Sequence, residues 1–590
     1  MDYKNFDSLL SAIGPGRWTM FMFISYVSWA LLLPYFSLGG AFYNPVVDHW
    51  CSVPELSNNS WTLEQRLNYS VPWEYRGGRM ERSQCRMYVR QYEVVAGLPW
   101  SPDLALTPEQ AADLETIPCS QWEFDKSVFQ STVASEWNLV CDRVGLSPFF
   151  TSFYFFGAAV GETLIGLLAD KYGRRWVLRA STLVFLLTAT TSALVPLYSL
   201  VLAGRFVLGI VHTIIGPAYI QGMEACPSKL RTILGLLSTA PFAFTGMFFG
   251  AWAYLIRDWR TLQLVCALPV LLQLLYMPFM DESPRWLLQQ GRLNEAAKIL
   301  KKAGQWHGVS LPADKELMML LEKFQEQSQS GDKRDILRDV SLGLSGRIRI
   351  WWKDVTVLVR TPILRRITIG LFGCWFCTGL TYWGMSLSGT TYSKDPFLYV
   401  VLSSLVEVPG YSGLTPVVGR FGRRSVLSFN FAVCAVAILT ILATPKSYTW
   451  MIFSLALVGK LFITASYGLM YLVSSELFPT CVRSRGLNMS SMMARLGSIV
   501  SPFIIDVLAT SYWWSPSVMF GACAAMGSGF ALLLPESNHK PLADTVEQLD
   551  FIYGDNAKSS SRSSIESDDL SSSLRKDQDE KEEMCSGSSV

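Results

Sequence analysis

The chain has 590 residues, half of them hydrophobic, a mean hydropathy of +0.26 and a net charge of +2. Soluble domains of this size are seldom so apolar; the net charge itself says little, and no basic groove pattern supports nucleic acid. With four histidines, no clustered metal ligands, no Gly-rich phosphate loop and no nucleophile motif, the sequence excludes zinc, nucleotide and covalent-enzyme chemistry; no cofactor and no metal are expected.

Segment 1–17 is expected in the cytoplasm, with GPGRW (14–18) as the turn that opens the first helix. Runs of roughly 20 apolar residues, long enough to cross about 30 Å of hydrocarbon, then recur twelve times. They lie near 18–38, 147–169, 176–198, 200–222, 233–255, 261–280, 367–388, 397–418, 425–444, 449–472, 487–508 and 515–534. The first is too long for a signal h-region and lacks a small-residue cleavage site, so it reads as a retained helix. Lys171, Arg174, Arg175, Arg423, Arg424, Arg483, Arg485 and the basic segment 289–366 all fall on one side. The positive-inside rule puts that side, and both termini, in the cytoplasm.

Segment 39–146 is therefore extracellular. It carries Cys51, Cys85, Cys119 and Cys141, which imply two disulfides in one of three pairings, and sequons at Asn58 and Asn68. Residues 18–288 and 367–540 form two six-helix halves, split by 289–366. Within that loop, 293–330 reads as short amphipathic helices, the first (LNEAAKILKKAG) ending at Gly304. The halves echo each other: GLLADKYGRR (166–175) follows the second run and VVGRFGRR (417–424) the eighth, an internal repeat typical of transporters. Segment 541–590 reads as a disordered cytoplasmic tail. Its end, Ser588–Val590, is a weak match to a peptide that adds a strand to a PDZ-type edge. The expected class is an all-α membrane protein of twelve helices in two halves, with a disulfide-bearing extracellular loop.

An ionisable side chain at mid-bilayer costs about 2.5–3.5 kcal/mol or more, so each one marks a polar interior. Counting from the helix ends puts His212, Glu407, Lys460 and Arg495 near the midplane, Glu162 in the inner half and Arg205 in the outer half. Trp375 and Tyr382 are seven apart on one helix face, and Tyr467 is seven after Lys460. Each has a plainer reading. Glu407 and Lys460 can neutralise each other. His212 can be an interior hydrogen-bonded histidine, and the aromatics can face lipid. Arg495 can pair with Glu407 or Asp506, although Asp506 is eleven residues away on the same helix.

GLLADKYGRR resembles the signature of the major facilitator superfamily. The cysteine-bearing loop, STVASEWNLVC (131–141), LIRDWR (255–260), ESPRWLL (282–288) and ELFPTCVRSRG (476–486) resemble its organic cation, organic anion and carnitine transporter family over nearly the whole chain. The resemblance implies a cytoplasmic latch of Asp170, Gly173, Arg174 and Arg175, echoed by Gly422, Arg423 and Arg424, with Arg205 grouped among the gating residues. Asp170 is expected at a helix N-terminus; Gly419 stands in its place in the second copy. It also implies a substrate cavity lined by Trp375, Tyr382, Lys460, Glu407, Tyr467, His212 and Arg495. In the cation branch an acidic residue fills the position of Arg495, and a lysine fills that of Thr213. The expectation is a polyspecific plasma-membrane carrier of small organic anions or zwitterions, carnitine-like compounds included, working by alternating access. Na+ or H+ is the candidate co-transported ion, with Glu162 and His212 the candidate proton groups. The alternatives are an organic cation transporter, a sugar-type facilitator and a non-transporting scaffold.

Overall fold

The computed structural model describes residues 6–57, 60–76, 79–101, 104, 114–227, 230–231, 234, 240–326, 356–538 and 540–553. Asn58 and Ser588–Val590 lie outside them. Among the described residues ten helices are long and apolar enough to cross a membrane. They are Arg17–Tyr43, Cys141–Tyr172, Arg174–Leu194, Tyr198–Glu224, Trp259–Phe279, Pro362–Leu387, Arg423–Ala443, Thr449–Leu477, Arg485–Ser511 and Ser515–Leu533. Ala240–Leu255 takes the fifth place, and the pair Pro396–Ser412 and Leu414–Phe421 the eighth. The eighth span is broken where the sequence suggested one run. Pro409 has no N–H to give and its ring crowds the preceding turn, and the break falls four residues later at Gly413.

Small residues set the closest crossings. A Cβ at Gly157 or Gly209 would strike the backbone of the fourth or second span. One at Gly379 or Gly497 would strike the eleventh or seventh. The halves meet near the cysteine-bearing loop. Phe42 stacks on Phe397 at 5.5 Å, Asn44 donates to the Ser147 carbonyl at 3.0 Å, and Ser147 Oγ donates to Asp506 at 3.1 Å. Deeper in, Ser152 donates to the Ile499 carbonyl at 2.8 Å.

The cysteine-bearing loop holds three two-stranded pairings and a small apolar cluster around Trp61, Tyr69 and Tyr92. Of the three pairings open to the sequence, Cys51–Cys119 and Cys85–Cys141 are formed. Asn68 lies in the helix Leu63–Ser70, where its side-chain oxygen accepts from Arg82.

A second apolar core is made by Leu9, Leu10, Trp286, Leu287, Leu300, Leu321 and neighbours. It joins an N-terminal helix, Phe6–Ile13, to the loop helix Leu293–His307. That loop helix passes Gly304, where the sequence suggested an end, and stops at Gly308, whose φ of 68° suits glycine. Asp7 pairs with Arg231 at 2.7 Å and also with Arg285. Trp18 donates its N–H to His307 at 3.2 Å and its indole N–H to Asp281 at 3.0 Å.

The start of the tail departs from the disorder expected of it. Residues 541–553 fold back on the C-terminal half, with a helix Val546–Tyr553 that buries Leu549. Thr480 donates to the Ala543 carbonyl and Thr361 to Asp550. Leu549, Phe551, Ile552 and Tyr553 give this stretch the apolar content that the later tail lacks.

Candidate substrate site and gating network

Two ion pairs occupy the centre of the molecule. Lys460 Nζ lies 2.9 Å from Glu407 Oε1, and the two side chains are only 1% and 5% exposed. Tyr382 donates its hydroxyl to the same oxygen at 2.7 Å, and Lys460 stands 3.4 Å over the Tyr382 ring. Lys460 also donates to Ser386 Oγ at 2.5 Å. The seventh, eighth and tenth spans supply all these groups, so this pair belongs to the C-terminal half alone.

The second pair joins the halves. Arg495 Nε donates to Glu162 Oε1 at 2.8 Å, with side chains 15% and 25% exposed. Ser491 Oγ lies 3.5 Å from the same carboxylate oxygen. Neither partner suggested by sequence, Glu407 or Asp506, takes Arg495. Glu407 is held by Lys460, and Asp506 points to Ser147 from a π-helical turn at Ile504–Leu508. Glu162 lies 10 residues before the end of its helix, Phe149–Tyr172.

An aromatic wall lines the same region. Trp375 is fully buried, donates to Ser474 Oγ at 2.9 Å, and meets Tyr471 edge-on at 4.8 Å and Tyr467 at 5.9 Å. Tyr467 continues to Tyr382 at 5.1 Å. Trp375 is not exposed at all, whereas Tyr471 is 45% exposed. It is one turn after Tyr467, and i,i+4 spacing carried that signal in the sequence. His212 is buried and shares a 2.7 Å hydrogen bond between Nδ1 and Tyr154 OH. This is the interior histidine of the plainer reading, placed beside the site. Arg205 does not join the cytoplasmic latch. It is fully buried, donates to the Phe150 and Phe36 carbonyls at 3.2 and 3.0 Å, and packs on the Phe150 and Tyr154 rings. It ties the first, second and fourth spans together.

Where the third and ninth spans begin, the repeat takes shape in pairs. Gly173 and Gly422 have φ of 97° and 86°, and each opens a helix of 21 residues. The N-terminus of the third span is capped by Glu282, which accepts from the Arg174 and Arg175 backbone at 3.0 and 3.1 Å. Glu536 does the same for Arg423 and Arg424 at 2.7 and 3.1 Å. A carboxylate there meets both the unpaired N–H groups and the positive end of the helix dipole. The expected occupant, Asp170, pairs instead with the Arg174 side chain at 2.9 Å. Arg174 lies 3.8 Å from Glu224, and Arg423 lies 3.1 Å from Glu476. The sequence carried this echo in ESPRW (282–286) and ESNHK (536–540), and in EACPS (224–228) and ELFPT (476–480).

The comparisons with known proteins agree with this architecture. The sequence profile described as "Sugar (and other) transporter" matches residues 123–548. The chain is 30% identical to the "Organic cation transporter protein" of Drosophila melanogaster over 552 residues, 93% of this chain and 94% of that one. It is 29% identical to "Organic cation/carnitine transporter 2" of Homo sapiens over 94% of this chain and 95% of that one. A third relative, 31% identical over 85% of this chain and 81% of its own, is the "Beta-alanine transporter" of Drosophila melanogaster. Among solved structures, the partially occluded inward-open xylose transporter of E. coli superposes with a TM-score of 0.54 at 15% identity, over 89% of this chain and all of that one. The fold is thus that of a multi-pass membrane transporter and not of an enzyme. The chain belongs to the organic cation, organic anion and carnitine transporter family of the major facilitator superfamily.

Proposed function

We propose that the chain carries small organic zwitterions bearing a carboxylate, and that the substrate enters between Arg495 and Glu162. The carrying observation is the 2.8 Å bridge from Arg495 to Glu162, partly exposed and shared between the halves. Arg495, Lys460, Glu162 and Glu407 together are electrically neutral, so a ligand of zero net charge enters without leaving an uncompensated charge at low dielectric. Its carboxylate takes the guanidinium fork, and its ammonium takes the released Glu162 and the Tyr467 and Tyr471 faces. The sealed Lys460–Glu407 pair holds the aromatic wall in place. Exchanging one cross-half contact for two substrate contacts links binding to the rocking of the halves. The relative named for beta-alanine, itself a zwitterion, supports the same reading.

Both termini are placed in the cytoplasm and the carrier in the plasma membrane. This reading draws on the basic cytoplasmic segments and the disulfide-bonded outer loop. The test is uptake into cells of a labelled amino-acid-type zwitterion, its N-acyl derivative (an anion) and its methyl ester (a cation). The zwitterion should be taken up fastest. Equal or faster uptake of the ester overturns the assignment.

A further inference from the structure

Two adjoining cavities on the C-terminal half lie outside the transport site. One, of about 630 Å³, is an almost wholly apolar cleft between the eighth, ninth and tenth spans, lined by Pro409, Gly413, Phe429, Asn430 and Phe462 among others. Its rim residues Phe421 and Phe429 are 64% and 59% exposed, which in a membrane-spanning helix means they face lipid. Pro409, Gly410 and Gly413, at the break in the eighth span, line this cleft. The second cavity, of about 560 Å³, lies at the cytoplasmic end and is lined by Arg420, Gly422, Arg424, Leu532, Glu536 and Asn538. The two share Phe421 and Ser425, so they form one path from the membrane face to the cytoplasmic surface.

Two polar features of this path lack partners. Asn430 is 4% exposed, lines the apolar cleft, and its Nδ2 has no hydrogen-bond acceptor. It lies seven residues into a helix that begins at Arg423, about 10 Å deep at 1.5 Å per residue. Arg420 and Arg424 have no carboxylate partner among the described residues, since Glu536 is spent on the backbone N–H groups and Glu476 on Arg423. In the first half, Asp170 adds a carboxylate at the matching turn. Here Gly419 adds none, so the second copy is more basic.

We infer that this path is a binding site for an anionic glycerophospholipid of the cytoplasmic leaflet. Its phosphate sits at Arg420 and Arg424, an ester carbonyl accepts from Asn430 Nδ2, and an acyl chain fills the cleft beside Phe429 and Phe462. An acceptor at Asn430's depth beneath two arginines matches the order of groups in such a lipid, whereas a free phosphate would leave both Asn430 and the cleft unsatisfied. The site lies beside the break in the eighth span, the span that carries Glu407.

The test uses the full chain purified in a neutral detergent. Its melting temperature is followed against phosphatidylglycerol, phosphatidylcholine and soluble glycerol phosphate. Two arginines near a membrane surface imply roughly a thirtyfold preference for the anionic lipid over phosphatidylcholine. The R420Q/R424Q variant should lose that preference, and N430L should weaken binding of both lipids. Equal protection by phosphatidylcholine, or protection by glycerol phosphate alone, overturns the proposal. Because the double variant can misfold, a second measurement uses the wild-type chain: phosphatidylglycerol with a photoactivatable acyl chain should label peptides covering 409–430. Labelling spread evenly over all spans contradicts the site.

Discussion

Arg495 and Glu162 stand 2.8 Å apart on opposite halves of the molecule, in a place where water reaches both. Lys460 and Glu407 are 2.9 Å apart within one half, sealed from water. The same chemistry thus serves two ends. A bridge between moving parts has to break and re-form, while a pair inside one part can stay closed through the cycle.

Removing the acidic partner of the bridge should free the arginine. In Glu162→Gln the guanidinium no longer has a competing carboxylate, so the KM for the N-acyl anion should fall, whereas the zwitterion also loses the partner of its ammonium. Turnover should fall too, on the order of tenfold, because about 1.4 kcal/mol of extra ground-state binding is not returned at the transition. Initial-rate uptake across a substrate range separates the two effects.

The sealed pair makes the opposite prediction. Glu407→Gln or Lys460→Met alone leaves one buried charge uncompensated, at a cost of about 3–5 kcal/mol. The double variant with Met at 460 and Leu at 407 should regain most of that stability. It should not regain transport, since Tyr382 loses the acceptor that fixes its ring. Thermal melting and uptake on the same preparations check both halves of the statement.

Glu282 and Asp7 should respond to pH in opposite directions. Burial pushes the Glu282 carboxyl above the usual carboxylate range, against the pull of the Ser283, Arg175 and Arg174 backbone N–H groups. Its contribution is full below the ordinary glutamate value and is lost as pH rises through the raised one. Wild type should therefore gain on Glu282→Gln as pH is lowered from 7 toward 4. Burial also opposes ionisation of Asp7, but Arg231 and Arg285 outweigh it and hold the group below the usual range. Its contribution is present above the ordinary aspartate value and is lost as pH falls through the lowered one, so wild type should lose its margin over Asp7→Asn toward pH 3. Melting temperatures of the two variants across this range test both signs.

The outer loop should yield two crossed disulfides. Non-reducing peptide mapping should recover Cys51 with Cys119 and Cys85 with Cys141. Losing the first of these, which closes 68 residues, should cost about 4 kcal/mol on the chain-entropy account.

Hydrophobic run length located the spans because the bilayer imposes it directly. The GRR echo located the repeat because a helix opening behind a positive-φ glycine needs that glycine in both copies. The partner of Arg495 was not legible. Run length and depth do not say which side chains on different spans face each other, and Arg495 and Glu162 are 333 residues apart in the chain. Glu282 and Glu536 were hidden for another reason. Their roles come from tertiary approach to a helix start more than 100 residues away, and only the repeated Glu-Ser pair marks them. The helix at 546–553 was masked by the polar composition of the tail that follows it.

The most direct test of the central claim replaces Arg495 with Glu and repeats uptake of the zwitterion, the N-acyl anion and the methyl ester against wild type. The account predicts loss of both carboxylate-bearing substrates, with the ester retained or increased, because a second acidic group beside Glu162 repels carboxylates and attracts the cation. Unchanged zwitterion uptake in Arg495→Glu would contradict it, and would move selectivity to Glu407 and the aromatic wall.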